Sequence, residues 1–234
     1  MEGILLRRRL LNKKKKKIQL IAQNDPQSPI TEQFRLLRNN IHFSAVDMEN
    51  KTIVVTSPEP SDGKSTTAAN LAIVLAQDGK KVILVDADLR KPSIHYTFNL
   101  SHTEGLTSVL SRKVSISAAI NRTAIPGLHI LTSGPVPPNP AKLVHSYAMG
   151  FVIEKLKEVF DYVIIDTPPI LSVTDAQIIA NKCDGVILVI SGGKTYRERA
   201  KKAKEILENA RAQILGVVVN RVKPKKNEYY GNYS

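Results

Sequence analysis

The stretch TIVVTSPEPSDGKSTTAANLAIVLAQ, residues 52–77, decides the fold. Thr52 to Ser57 is a β-branched run with apolar residues at successive positions, which predicts a strand buried on both faces. Lys64 to Gln77 is rich in alanine and leucine and predicts a helix. The residues between, with two prolines and a glycine, can continue neither element. A buried strand that turns straight into a helix leaves the helix's first N–H groups unpaired and partly positive, a natural seat for phosphate. Gly63 lets a backbone approach closely, Lys64 supplies a point charge for outer phosphates, and the Ser65 hydroxyl is a hard oxygen donor suited to Mg²⁺. Ser61, Asp62, Gly63 and Thr66 complete the expected phosphate loop around Lys64 and Ser65. The usual pattern has a glycine five positions before Gly63; here that position is Pro58.

Outward from this stretch the pattern repeats. Lys81–Asp88, Leu128–Thr132, Tyr162–Thr167, Gly185–Ser191 and Ile214–Asn220 read as further strands. Helices are expected over Ile30–Phe43, with Ser28 or Thr31 as cap, and over Phe151–Phe160, Thr174–Lys182 and Thr195 to about Ala210. Ser133–Pro140, with four prolines, reads as a stiff loop. Apolar strands alternating with helices predict an α/β fold, a mostly parallel sheet with helices on both faces. In such sheets ligands bind beyond the carboxyl ends of the strands. Asp86, Asp88 and Asp166 stand there, where carboxylates can hold Mg²⁺ through its water shell or accept a proton from an incoming hydroxyl. Arg90 and Lys91 follow; they could hold phosphate charge or form a surface pair. Asn220, after the last strand, is placed to touch a base.

The 234 residues suffice for one such domain. Hydrophobic residues make up 42% and charged ones 24%, as in ordinary globular chains. The single Cys183 excludes an intramolecular disulfide and fits a reducing cytosol. No apolar run has the length of a membrane span or a signal peptide. Of the net charge of +13, residues 1–17 carry +7 (eight basic residues against Glu2) and residues 221–234 carry +3 (four against Glu228). The nearly balanced middle argues against a nucleic-acid-binding core. The N-terminal run reads first as a solvated tail, and second as a contact with anionic lipid. The division expected is a basic flexible segment over 1–27, a nucleotide-binding domain over 28–222 and a tyrosine-rich tail over 223–234.

Taken together, the motifs resemble the bacterial tyrosine kinase (BY-kinase) family, in the form of the separate cytoplasmic kinase chain of Gram-positive capsule and exopolysaccharide systems. The resemblance rests on PSDGKST (60–66), VDADLRKP (85–92), VIIDTPP (163–169), EQFRLLR (32–38), LTSGPVPPNP (131–140) and YYGNY (229–233). It implies a P-loop NTPase fold of the MinD/ParA type, ATP with Mg²⁺ as the bound pair and ADP as product. It implies catalytic roles for Lys64, Asp86 and Asp88, and a metal set of Ser65, Asp88 and Asp166. Which of Asp86 and Asp88 is the proton acceptor stays open, with Asp86 favoured. It also implies autophosphorylation in trans at Tyr229, Tyr230 and Tyr233, and ring-like homo-oligomers in which Glu32, Arg35 and Arg38, a slanting stripe on one helix, touch a neighbouring subunit. Without the family these three read as an exposed intrahelical pair.

Further implied partners are a membrane adaptor of the polysaccharide co-polymerase type, other protein tyrosine substrates and a cognate tyrosine phosphatase. The implied location is cytoplasmic, at the inner face of the membrane through that adaptor. A basic tail that docks in a neighbour's carboxylate site would change sign once phosphorylated and leave it. The order of tyrosine modification, and whether Tyr147 or Tyr196 competes, is open. Two other readings exist: a MinD- or ParA-like ATPase switch without kinase activity, and a catalytically weak scaffold. The switch proteins usually carry a lysine where Glu59 stands, and they lack the tyrosine cluster.

Overall fold

The computed structural model describes residues 18–44 and 50–222. The sheet has seven strands: β1 (Thr52–Thr56), β2 (Val82–Asp86), β3 (Ile120–Arg122), β4 (Leu128–Leu131), β5 (Tyr162–Asp166), β6 (Gly185–Ser191) and β7 (Ile214–Asn220). Their spatial order is β3-β4-β2-β5-β1-β6-β7. Every neighbouring pair is parallel except β3 with β4. The expected mostly parallel sheet is therefore present, with one short antiparallel strand added at an edge.

Alternation of side chains divides the core in two. Ile53 and Val55 of β1 face the helix α3 (Lys64–Gln77), whose Leu71, Ile73 and Leu75 are fully buried. On that same face lie α1 (Ile21–Asn24), through Ala22, and α2 (Pro29–Ser44), through Ile41. Val54 faces the other way, toward the cluster built by α8 (Tyr147–Val159), α9 (Asp175–Ala180) and α10 (Arg197–Asn209). Emptying one fully buried site such as Leu71 by truncation to alanine would cost about 2–5 kcal/mol.

Short helices unannounced in the sequence fill the connections: α4 (Ile94–Phe98), α5 (Leu106–Leu110), α6 (Ile116–Ala119) and α7 (Pro140–Val144). Asn139 caps α7 by accepting from the Lys142 amide at 3.1 Å. The proline-rich loop thus ends in a helix, with Pro140 in the first turn, where its missing N–H costs nothing. Ser28 is the residue that caps α2, its hydroxyl accepting from the Thr31 amide at 3.1 Å. The Thr31 hydroxyl instead donates to the Asp25 carbonyl at 2.8 Å.

One boundary needs correction. The sequence reading leaves residues 1–27 outside the domain, yet residues 18–24 are docked on α3. The agent is the buried Asn70: its Oδ1 accepts from the Ala22 amide at 2.9 Å, and its Nδ2 donates to the Gln19 carbonyl at 2.8 Å. Gln77 adds a bond to the Ala22 carbonyl at 3.0 Å. A segment whose backbone groups are bonded to a buried side chain does not float free. The basic run 1–17 and the tail tyrosines Tyr229, Tyr230 and Tyr233 lie outside the described residues. Among the described residues, no helix is long and apolar enough to cross a membrane.

Candidate active site

Three strands deliver the site. β1 ends at Thr56 and leads into the loop that opens α3, while β2 and β5 end at Asp86 and Asp166, directly paired across the parallel ladder. The site therefore lies beyond the carboxyl ends of adjacent strands, as expected.

The loop is held in shape from several sides. The Glu59 amide donates to Asp62 Oδ2 at 3.1 Å, and Ser61 sits in the left-handed region at φ 67°. Gly63 has φ 110°, and a Cβ built there would stand 1.8 Å from Asn220 Nδ2, so the position needs glycine on both counts. Asn220 lies against the loop rather than free: its Nδ2 donates to the Asp62 carbonyl at 3.0 Å. At the outer side Lys194 Nζ donates to the Pro60 carbonyl at 3.1 Å and reaches Asp62 Oδ1 at 3.4 Å. Arg199 Nε pairs with Glu59 at 3.2 Å. Lys194 and Arg199 carry no signal in the sequence, because nothing marks one cation of a turn and one of the charged helix after it as loop partners. The Thr66 carbonyl accepts from Asn70 at 2.8 Å, so that residue links the loop to the docked N-terminal arm.

Inside this frame Lys64 Nζ stands 3.1 Å from Asp88 Oδ2, 3.3 Å from Asp166 Oδ1 and 3.1 Å from the Ser65 hydroxyl, to which it donates. Burial pulls the Lys64 ammonium down, but Asp166 and Asp88 more than offset this and hold its pKa above the usual lysine value. Asp86 Oδ2 accepts from the Ser93 and Ile94 amides, each at 3.0 Å, and Oδ1 from the Asp88 amide at 3.3 Å. These bonds bend the chain after Asp86, so the expected strand over Lys81–Asp88 ends there. Burial, with repulsion from Asp166, pushes the Asp86 carboxyl up to about 7, against the pull of the Ile94 amide and of Lys64. Burial likewise raises Asp166, with Lys64 opposing.

The donors present fit a Mg²⁺ ion. Asp166 Oδ2 is buried without a hydrogen-bond partner, and the Ser65 hydroxyl, Asp88 and Asp166 are all hard oxygen donors.

Arg90 is turned to Asp175: its Nε and Nη2 donate to that buried carboxylate at 2.9 and 3.2 Å, the ion pair that was the alternative to a phosphate contact. Away from the site, Glu32 and Arg35 form an intrahelical ion pair. Arg38 turns inward, to Asp78 at 3.2 Å and the Val74 carbonyl at 3.4 Å.

A sheet-end Gly-Lys-Ser loop facing strand-end aspartates defines a P-loop nucleotide-binding protein. The ParA family, described as NUBPL iron-transfer P-loop NTPases, matches residues 48–228. The MinD protein of Pyrococcus horikoshii, solved with Mg-ADP, superposes with a TM-score of 0.65 at 26% identity, over 75% of this chain and 72% of that one. Likeness to tyrosine kinases is closer. The kinase domain of the Escherichia coli tyrosine kinase ETK superposes with a TM-score of 0.83 at 31% identity, over 94% of this chain and 88% of that one. The tyrosine-protein kinase YwqD of Bacillus subtilis is 50% identical over 214 residues, covering 92% of this chain and 90% of the relative. The chain belongs to the bacterial tyrosine kinase family.

Proposed function

We propose that the chain is an ATP-dependent protein-tyrosine kinase whose first substrates are Tyr229, Tyr230 and Tyr233 in the tail of a neighbouring copy. The observation that carries this reading is the Lys64 ammonium set between Asp88 and Asp166, with Asp86 beside them. Lys64 lies at the start of a helix whose open N–H groups favour phosphate. With nucleotide bound, Lys64 would exchange its carboxylate contacts for the outer phosphates, and Ser65, Asp88 and Asp166 are the residues that would hold Mg²⁺, whose charge would be set against that of the transferring phosphoryl group.

Asp86 accepts the phenol proton as the tyrosine oxygen attacks the γ-phosphorus. A phenol with a pKa near 10 needs such a base, and a carboxyl near neutrality is well matched to it. Phosphotyrosine and ADP are the products. The catalytic domain, with its docked N-terminal arm, extends over 18–222, and 223–234 is the substrate tail. Glu32, exposed on α2, and the half-buried Arg35 meet an adjoining subunit in a ring, with the inward-turned Arg38 stiffening that helix from behind. A membrane adaptor of the polysaccharide co-polymerase type holds the kinase at the inner membrane face, a cognate phosphatase reverses its products, and the system serves capsule or exopolysaccharide synthesis.

The test is incubation of the full chain with Mg-ATP, beside Lys64→Met, with phosphate mapped by mass spectrometry. Phosphotyrosine in the tail that vanishes in the variant is the expected result. Lys64-dependent ATP hydrolysis without any phosphotyrosine would overturn the reading.

A further inference from the structure

Tyr196 is 72% exposed and stands immediately before α10, between two cations that brace the phosphate loop. Lys194, two residues earlier, holds Asp62 and the Pro60 carbonyl; Arg199, three residues later, holds Glu59. The phenol is displayed on a tied turn. The Thr195 hydroxyl accepts from the Ser191 amide at 2.8 Å, and Tyr196 itself is extended at φ −67° and ψ 143°.

We infer that Tyr196 is a further phosphoacceptor of this kinase, and that its phosphate releases the Lys194 and Arg199 braces from the nucleotide loop. The inference rests on the kinase reading above and adds an autoinhibitory site to it. The surroundings favour Tyr196 as a substrate: Lys194, Arg197 and Arg199 give the segment the same basic character as the tail before Tyr229, a match for the carboxylates at a second copy's site. The Tyr196 oxygen attacks the γ-phosphorus, the O–P bond forms as the bond from phosphorus to the β,γ-bridging oxygen breaks, the phenol proton passes to a carboxylate, and ADP departs with the electron pair.

The product carries about −1.5 to −2 charges at the open end of a helix, where an anion is favoured. Arg199 lies three residues on, within reach along the first turn. Both braces then have a stronger partner than the carboxylates they hold now. Asp62 is fully buried, so loss of Lys194 leaves its charge without that cation. The loop from Glu59 to Gly63, with Ser61 held in a left-handed conformation, then loses its shape and grips nucleotide less well.

The experiment uses the full chain with Mg-ATP, as wild type and with Tyr229→Phe, Tyr230→Phe and Tyr233→Phe combined. Phosphate mapped to Tyr196 in both is the expected result. Phosphate on the tail of the wild type with none at Tyr196 would overturn the inference and leave the kinase intact. No phosphotyrosine in either would overturn the kinase reading and this inference with it. From the tail-substituted chain, the fraction phosphorylated at Tyr196 is then isolated and titrated with a fluorescent ADP. Binding about fivefold weaker than in the Tyr196→Phe version is expected from two partly exposed ion pairs lost. Equal affinity would overturn the release of the braces.

Discussion

Lys64 and Asp88 form a buried ion pair, 3.1 Å from ammonium to carboxylate, and Asp166 shares the same ammonium at 3.3 Å. One lysine thus offsets part of the charge of two neighbouring carboxylates. Lys64→Met removes the cation and leaves carboxylates crowded. Breaking a buried pair in this way costs about 3–5 kcal/mol, so the nucleotide-free variant should melt well below the wild type as well as losing phosphotransfer. Calorimetry checks this, and an unchanged melting temperature would contradict it.

Asp86 gives the site a pH dependence whose sign can be worked out. Its carboxyl titrates near 3.8 when unfolded and at about 7 in the folded chain. Between those values the folded state holds a proton that the unfolded state has released, so stability from this group falls as pH rises, and the full penalty stands above about 7. Asp86→Asn lacks the effect. The melting temperature of the variant relative to wild type should therefore climb from pH 4 to pH 8; a flat difference would show that Asp86 does not titrate in that range.

Arg90 holds Asp175 with two hydrogen bonds. Arg90→Ala should lower stability by about 2 kcal/mol, reduced from the fully buried case because the guanidinium is partly exposed. Affinity for ADP should change less than twofold in calorimetric titration. Arg90→Lys should recover only part of the stability, because an ammonium cannot reproduce the two-point grip.

Gly63→Ala places a methyl group where Asn220 Nδ2 now sits and forces an unfavourable backbone angle. ADP with Mg²⁺ should raise the melting temperature of the wild type and leave this variant unmoved. Asn220→Ala, which removes one hydrogen bond to the loop, should weaken ADP binding by about threefold to tenfold.

Asn70→Leu tests the docked arm. It strips three hydrogen bonds from one buried side chain, to Ala22, Gln19 and Thr66. Hydrogen exchange at the Ala22 amide should quicken by at least tenfold while the strands stay protected.

Most strands and the three aspartates are legible in the sequence, because a strand buried on both faces is an apolar run and the polar residue ending it stands out. Lys64, Ser65 and Gly63 are legible for the same reason: the loop has a strand before it and a helix after. The helices α4 to α7 are not, since four or five residues carry too little periodicity and take their shape from what they pack against. The commitment of Arg90 to Asp175 pairs residues 85 positions apart, and no local pattern signals it. Asn70 is the one amide in the apolar run AANLAIVLA, but its arm partners Gln19 and Ala22 lie in a short stretch, IQLIAQN, that directly follows a run of five lysines and is read with it.

The strand order has a consequence for synthesis. β1 emerges from the ribosome early, yet its two neighbours in the finished sheet are β5 and β6, made more than a hundred residues later. Until Tyr162–Asp166 and Gly185–Ser191 appear, Thr52–Thr56 offers a bare apolar ribbon with both edges open. Such a ribbon invites pairing with other nascent chains. Stalled or truncated translation products of this chain should therefore be the species that clump in the cell, and helper proteins that shield exposed ribbons matter most during that interval.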